Sequence, residues 1–117
     1  MSHLESSIER TTCRRATELM GVTSSKLVTP GDTGYPDRIF WLPCSPILIE
    51  FKQQGCVADP KQEFVHEMLR NLGYEVFVCD NVQGALAVIR HALSERGVEC
   101  EWTEAMSGCP HPTRRRQ

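Results

Sequence analysis

Gly34-Tyr35-Pro36-Asp37 and, after a gap, Ile49-Glu50-Phe51-Lys52 are the stretches around which this 117-residue chain is organised. Twelve residues separate Asp37 from Glu50, which is room for one strand, a tight turn and the start of a second strand. Successive strand side chains point to opposite faces, so Glu50 and Lys52 share a face and Phe51 points the other way with Ile47 and Ile49. Two carboxylates and a lysine are thereby brought to one end of a hairpin. Glu50 lies within the apolar run Ile47-Leu48-Ile49-Glu50-Phe51. A charge buried there is costly unless a cation or a partner compensates it.

Working outward, residues 3–20 read as a first helix. Ser2-x-x-Glu5 has capping-box form, Leu4, Ile8, Ala16, Leu19 and Met20 fall near one stripe, and Gly21 is a stop. Ser24–Val28 reads as a strand carrying Lys26, and residues 29–34 as a turn-rich loop. Asp37–Leu42 and Ile47–Lys52 are the two strands of the hairpin, turned by residues 43–46. Asp59 is the N-cap and Pro60 the first residue of a second helix running to about Leu72. Its expected apolar stripe is Phe64, Val65, Met68, Leu69 and Leu72. Gln62 and His66 are one turn apart, off the centre of that stripe. Tyr74–Cys79 is a fourth strand, Val82–Ser94 a third helix, and Val98–Trp102 an edge strand. A loose tail ending in Arg114-Arg115-Arg116 follows.

The order α-β-β-β-α-β-α predicts an α/β fold: a mixed four-stranded sheet flanked by helices, its fourth strand reached by a helical crossover and parallel to a neighbour. We expect one domain over residues 1–96 and an extension over 97–117. The chain has no long apolar run, which argues against a transmembrane helix. Its polar, acidic start is unlike a secretory leader. Six cysteines without a CxxC pair read as reduced thiols, so a cytoplasmic location is expected. Cys100, Cys109 and His111 match no compact zinc module.

Net charge is −2, which does not by itself advertise a polyanionic partner. Carboxylates that bind a divalent ion count as negative in such a tally, and the ion reverses their sign. Phosphodiester hydrolysis needs an activated water and compensation of negative charge, both of which Mg²⁺ can provide. Mg²⁺ takes hard oxygen ligands and keeps several waters, so two or three donors suffice. Asp37 and Glu50, with the Phe51 carbonyl, have the right chemistry, and Lys52 could offset charge on the phosphate. A solvated edge-strand charge pair would use the same residues.

The extended pattern is more specific. Ser7-Ile8-Glu9, Lys26-Leu27, Pro30-Gly31, Gly34-Tyr35-Pro36-Asp37-Arg38-Ile39, Ile49-Glu50-Phe51-Lys52, Pro60-x-Gln62 with His66, Gly73-Tyr74-x-Val76-x-Val78 and Asp80-Asn81 follow one another in order. Over roughly residues 4–93, the chain resembles the virus-type replication-repair nuclease (VRR-NUC) domain, a branch of the PD-(D/E)xK nucleases with a restriction-endonuclease-like core. The resemblance implies that Asp37 and Glu50 are metal ligands and Lys52 the catalytic lysine. It implies that Gln62 is an active-site amide and that Glu9, or alternatively Glu5, is the first-helix carboxylate of the metal site. Lys26, Arg38 and His66 become candidate DNA contacts. The implied activity is Mg²⁺- or Mn²⁺-dependent endonucleolytic cleavage of branched DNA, Holliday junctions in particular, by a homodimer. A non-catalytic branched-DNA-binding module and a restriction-like duplex endonuclease are the alternatives.

Overall fold

The computed structural model describes residues 3–100 and 114–115. Helix α1 (His3–Met20) is followed by strands β1 (Ser24–Lys26), β2 (Arg38–Phe40) and β3 (Ile47–Phe51). Helix α2 (Pro60–Asn71), strand β4 (Glu75–Cys79), helix α3 (Val82–Glu95) and the short strands β5 (Glu99–Cys100) and β6 (Arg114–Arg115) complete it. The main sheet has the order β1-β2-β3-β4, with the first two pairings antiparallel and β3–β4 parallel. This is the mixed four-stranded α/β architecture expected from the sequence. Among the described residues no helix is long and apolar enough to cross a membrane.

Register decides which residues meet the helices. Arg38 pairs with Ile49, and Phe40 with Ile47. One face of the sheet therefore carries Ile47, Ile49, Phe51 and Phe40, all buried with Ala16, Leu19 and Met20 of α1 and Leu86, Ile89 and Leu93 of α3. The Phe40 and Phe51 rings pack at a centroid separation of 6.5 Å. Leu48 and Glu50 face the other way by strand alternation, and so does Val76, which pairs with Leu48. Helix α2 packs on β4. Strand β3 is buried along its whole length, as befits an inner strand with cover on both faces.

Two devices fix the approach of the loops. Gly34 has φ +95°, and a Cβ there would lie 3.0 Å from Val65 Cγ2 and 3.1 Å from the Lys61 carbonyl. Only glycine lets the chain pass so close to α2 in that conformation, and that close approach delivers Asp37 to the head of β2. At the opposite end of the sheet, Arg96 donates to the Ser45 carbonyl and pairs with Glu75 at 2.6 Å.

Several expectations are revised. Strands β1 and β2 are shorter than Ser24–Val28 and Asp37–Leu42: the residue ladder that joins β2 to both neighbours spans Arg38–Phe40. On α2, Phe64 and Leu72 are exposed while Val65 and His66 are buried. The sheet covers a narrow strip of this helix, and Leu72 is its C-cap, beyond that cover. Leu4 of α1 is likewise exposed. The expected edge strand over Val98–Trp102 is seen at Glu99–Cys100, which pairs with Arg114–Arg115 in a separate two-stranded ribbon, not with the main sheet. Arg114 and Arg115 thus lie in a strand where a loose tail was expected. Ser2, Trp102, Cys109, His111 and Arg116 lie outside the described residues.

Candidate active site

Asp37 stands at the junction of three strands. Its backbone N–H donates to the Ile49 carbonyl (3.1 Å), and its carbonyl accepts from Leu27 N–H (3.0 Å). Its side-chain Oδ2 accepts from Phe51 N–H at 2.8 Å. Backbone and side chain are therefore both tied to neighbouring strands. Burial pushes the Asp37 carboxyl upward in pKa, the Phe51 N–H opposes that shift, and the charges of Glu9 and Glu5 add to it.

Glu50 is 3 % exposed. Its Oε2 accepts from Gln62 Nε2 at 2.9 Å and lies 3.6 Å from Lys52 Nζ, while its Oε1 is buried with no hydrogen-bond partner among the described residues. Burial pushes the Glu50 carboxyl up to about 7, the nearby Asp37 adds to the shift, and Lys52 opposes it. A carboxylate this deep with one unsatisfied oxygen is held for a proton or for a cation. Lys52 follows β3 directly and its N–H donates to the Cys79 carbonyl at 2.9 Å, so β4 fixes the lysine's backbone.

Gln62 reaches the site from the first turn of α2. Asp59 caps that helix, and Gln62 and Asp59 form a reciprocal capping box. Glu5, Asp37, Glu50, Phe51, Lys52 and Gln62 together line a polar cavity of about 230 Å³. Among the described residues, no three His, Cys, Asp or Glu side chains converge tightly enough to cage a metal alone. That donor set fits Mg²⁺, which takes one or two carboxylates, a carbonyl and retained waters, better than an ion that needs a closed protein cage. The orphaned Glu50 oxygen is the feature that asks for a cation.

Four of the expected site residues, Glu9, Arg38, His66 and Lys26, lie outside the cavity lining. Glu9 does not line the cavity. It is 3 % exposed and accepts a charge-assisted hydrogen bond from Arg38 Nε, because the Arg38–Ile49 register turns Arg38 towards α1. Glu5, one turn earlier, lines the cavity instead. Arg38 is thereby engaged by Glu9 instead of being free for phosphate. His66 is 1 % exposed, with Nε2 unpartnered among the described residues. Burial and the nearby positive charges of Arg70 and Lys52 lower its pKa, favouring the neutral ring. Lys26 is exposed. The link between Asp59 and Glu50 escaped the sequence reading, although Asp59-x-x-Gln62 has the spacing of a capping box. A larger hollow of about 540 Å³ further along α2 is bordered by His66, Arg70, Val78 and Asp80.

No family model matches the chain. A phage relative, "Putative nuclease p44" of Acyrthosiphon pisum secondary endosymbiont phage 1, is 36 % identical over 78 residues, covering 66 % of this chain and 83 % of that protein. Among solved structures, one described as a VRR_NUC domain is similar with a TM-score of 0.67 at 28 % identity, over 77 % of this chain and 98 % of that one. A VRR_NUC domain protein also gives a TM-score of 0.67, at 20 % identity, over 77 % of this chain and 88 % of that one. At that lower identity the second likeness speaks to the fold alone.

Proposed function

This chain belongs to the VRR-NUC nuclease family, and from that premise we propose that it is a Mg²⁺- or Mn²⁺-dependent endonuclease that hydrolyses phosphodiester bonds in branched DNA, four-way junctions above all, as a homodimer. The observation that carries the reading is the convergence of Asp37, Glu50, Phe51 and Lys52 on one polar cavity at the end of the β2–β3 hairpin.

Asp37, Glu50 and the Phe51 carbonyl would hold the ion, with Glu5 as a further oxygen donor. When bound, it supplies Lewis acidity towards water and phosphate. The chain's own groups do the rest. The Phe51 N–H keeps Asp37 pointed inward. Gln62 holds one Glu50 oxygen, leaving the other uncommitted. Lys52, beside Glu50, brings a fixed positive charge to where negative charge develops on the phosphoryl oxygens. The exposed Lys26 remains the phosphate contact of choice.

Symmetric cutting of a four-way junction needs two sites related by a two-fold axis, hence two copies of a chain with one site. An apolar hollow of about 400 Å³ on the α2 side of the sheet, among Ile39, Trp41, Leu48, Leu69 and Tyr74, supports a second copy as its cover. The test is cleavage of four-way, flapped and linear DNAs with Mg²⁺, Mn²⁺ or chelator, alongside the solution mass. Divalent-dependent junction cleavage by a species of twice the chain mass is expected, abolished in Asp37→Ala and in Lys52→Ala. Undiminished cleavage by either variant would sink the mechanism. Junction binding without cutting would favour the non-catalytic module, and equal cutting of linear duplexes the restriction-like enzyme.

A further inference from the structure

Asp59 lies on the surface, away from the cavity, yet it is wired to the buried carboxylate. Its Oδ1 accepts from Gln62 N–H at 2.9 Å, and its own N–H donates to Gln62 Oε1 at 3.0 Å. Gln62 Nε2 in turn donates to Glu50 Oε2 at 2.9 Å. The direction of this chain is forced. A main-chain N–H can only donate, so the amide oxygen of Gln62 must face Asp59 and its NH₂ must face Glu50. The amide cannot flip without breaking both contacts.

The local sequence prepares the arrangement. A residue before proline favours extended backbone, and Asp59 has φ −79° and ψ 168°, the conformation an N-cap needs. Pro60 then starts the helix at its preferred position.

We propose that the Asp59 N-cap is a positioning element of the metal site. It holds the Gln62 amide in one orientation, Gln62 holds Glu50 Oε2, and Oε1 is left as the single uncommitted oxygen. The helix cap thus sets how well Glu50 is ordered before an ion arrives. Partners behind a metal ligand typically govern affinity by about 10–100-fold, and a group one step further back acts at the lower end of that range. The consequence for metal rests on the nuclease reading above, whereas the clamp itself does not.

Three substitutions separate the clamp from ordinary helix stabilisation. Asp59→Asn keeps both the side-chain acceptor and the main-chain donor. Asp59→Gly keeps only the donor, at little cost to a cap. Asp59→Pro removes both, and the native φ is one that proline accepts. Calorimetric titration with Mn²⁺ alone, without DNA, is expected to give Asp59→Asn within about twofold of the parent and Asp59→Pro about tenfold weaker, with Asp59→Gly between them. The Mn²⁺ concentration for half-maximal cleavage shifts by the same factors. A folded Asp59→Pro protein that binds Mn²⁺ like the parent overturns the proposal. So does Asp59→Asn weakening as much as Asp59→Pro. Nuclear magnetic resonance of the metal-free parent decides the clamp independently: the Gln62 side-chain NH₂ must exchange with solvent more slowly than exposed amides such as Gln53 and Gln54. Rapid exchange overturns it, whether or not Asp59→Pro folds. A parent that binds no divalent ion removes the nuclease reading and leaves that exchange measurement to judge the clamp.

Discussion

The two faces of the sheet each receive one buried glutamate, and the two are treated in opposite ways. Glu9 and Glu50 are both 3 % exposed. Glu9, on the α1 side, is met by the Arg38 guanidinium. Glu50, on the other side, has a lysine and an amide at one oxygen and, among the described residues, no hydrogen-bond partner at the other. A buried carboxylate that is matched becomes costly to the fold when its partner is taken away. One left half-matched is pushed towards its neutral form and stores affinity for a cation. The difference teaches that burial alone does not mark a site; incomplete compensation does.

The hardest break comes from exchanging carboxylate for amide at each position. Glu50→Gln should lower divalent-dependent cleavage by at least about 10²–10³-fold, read as single-turnover rates on a four-way junction. Comparable activity in Glu50→Gln would place the metal site elsewhere. pH comes next. Glu50 titrates near 4.5 unfolded and about 7 folded, and the same sense holds for Asp37. Between those values the folded protein holds a proton the unfolded chain lacks. The stability associated with that proton is fully present below about 4.5 and is lost as pH rises through 7. In chelator, denaturant melts should therefore show stability falling by at most about 3 kcal/mol between pH 4.5 and 8, with Mn²⁺ reversing the fall. Stability flat in pH would mean that Glu50 is better compensated than its surroundings suggest.

Glu9→Gln should do the opposite of Glu50→Gln. It leaves Arg38 partly buried without its counter-charge, costing about 1–3 kcal/mol in denaturant melts, while cleavage at saturating metal stays within a few-fold. Gly34→Ala is expected to cost about 1–2 kcal/mol through its positive φ and the contact with α2, and to weaken cleavage by displacing Asp37. At the small end, Phe64→Ser on the exposed side of α2 should shift stability by no more than about 0.5 kcal/mol. A larger shift in the purified protein would mean that this face is covered in solution.

Much of this was legible in the residues. Hydrophobic period, caps and glycine stops marked every helix of the described core, and strand alternation put Glu50 and Lys52 together. What failed was tertiary in origin. Glu5 and Glu9 are equivalent by helical spacing, and the choice between them depends on where α1 crosses the sheet and on Arg38 reaching Glu9 through the β2–β3 register. His66 looked peripheral because apolar neighbours defined the stripe of α2, yet the helix is rotated so that Val65 and His66 face inward. Gln62 was placed near Glu50 by resemblance, but its engagement with the Asp59 cap depends on where the cap meets the sheet.

Strand β3 is an inner strand, bonded antiparallel on one side and parallel on the other, with both faces covered. Glu50 therefore rides on a part of the molecule that has no private route to opening. Segments of this kind exchange their amides only when the whole domain unfolds. On the proposed metal reading, an ion would then pass through the mouth of the cavity past side chains such as Glu5, not through fraying of strand β3. If the proposed ion binds there, its loading and release would be questions of side-chain motion on a rigid frame, without unfolding.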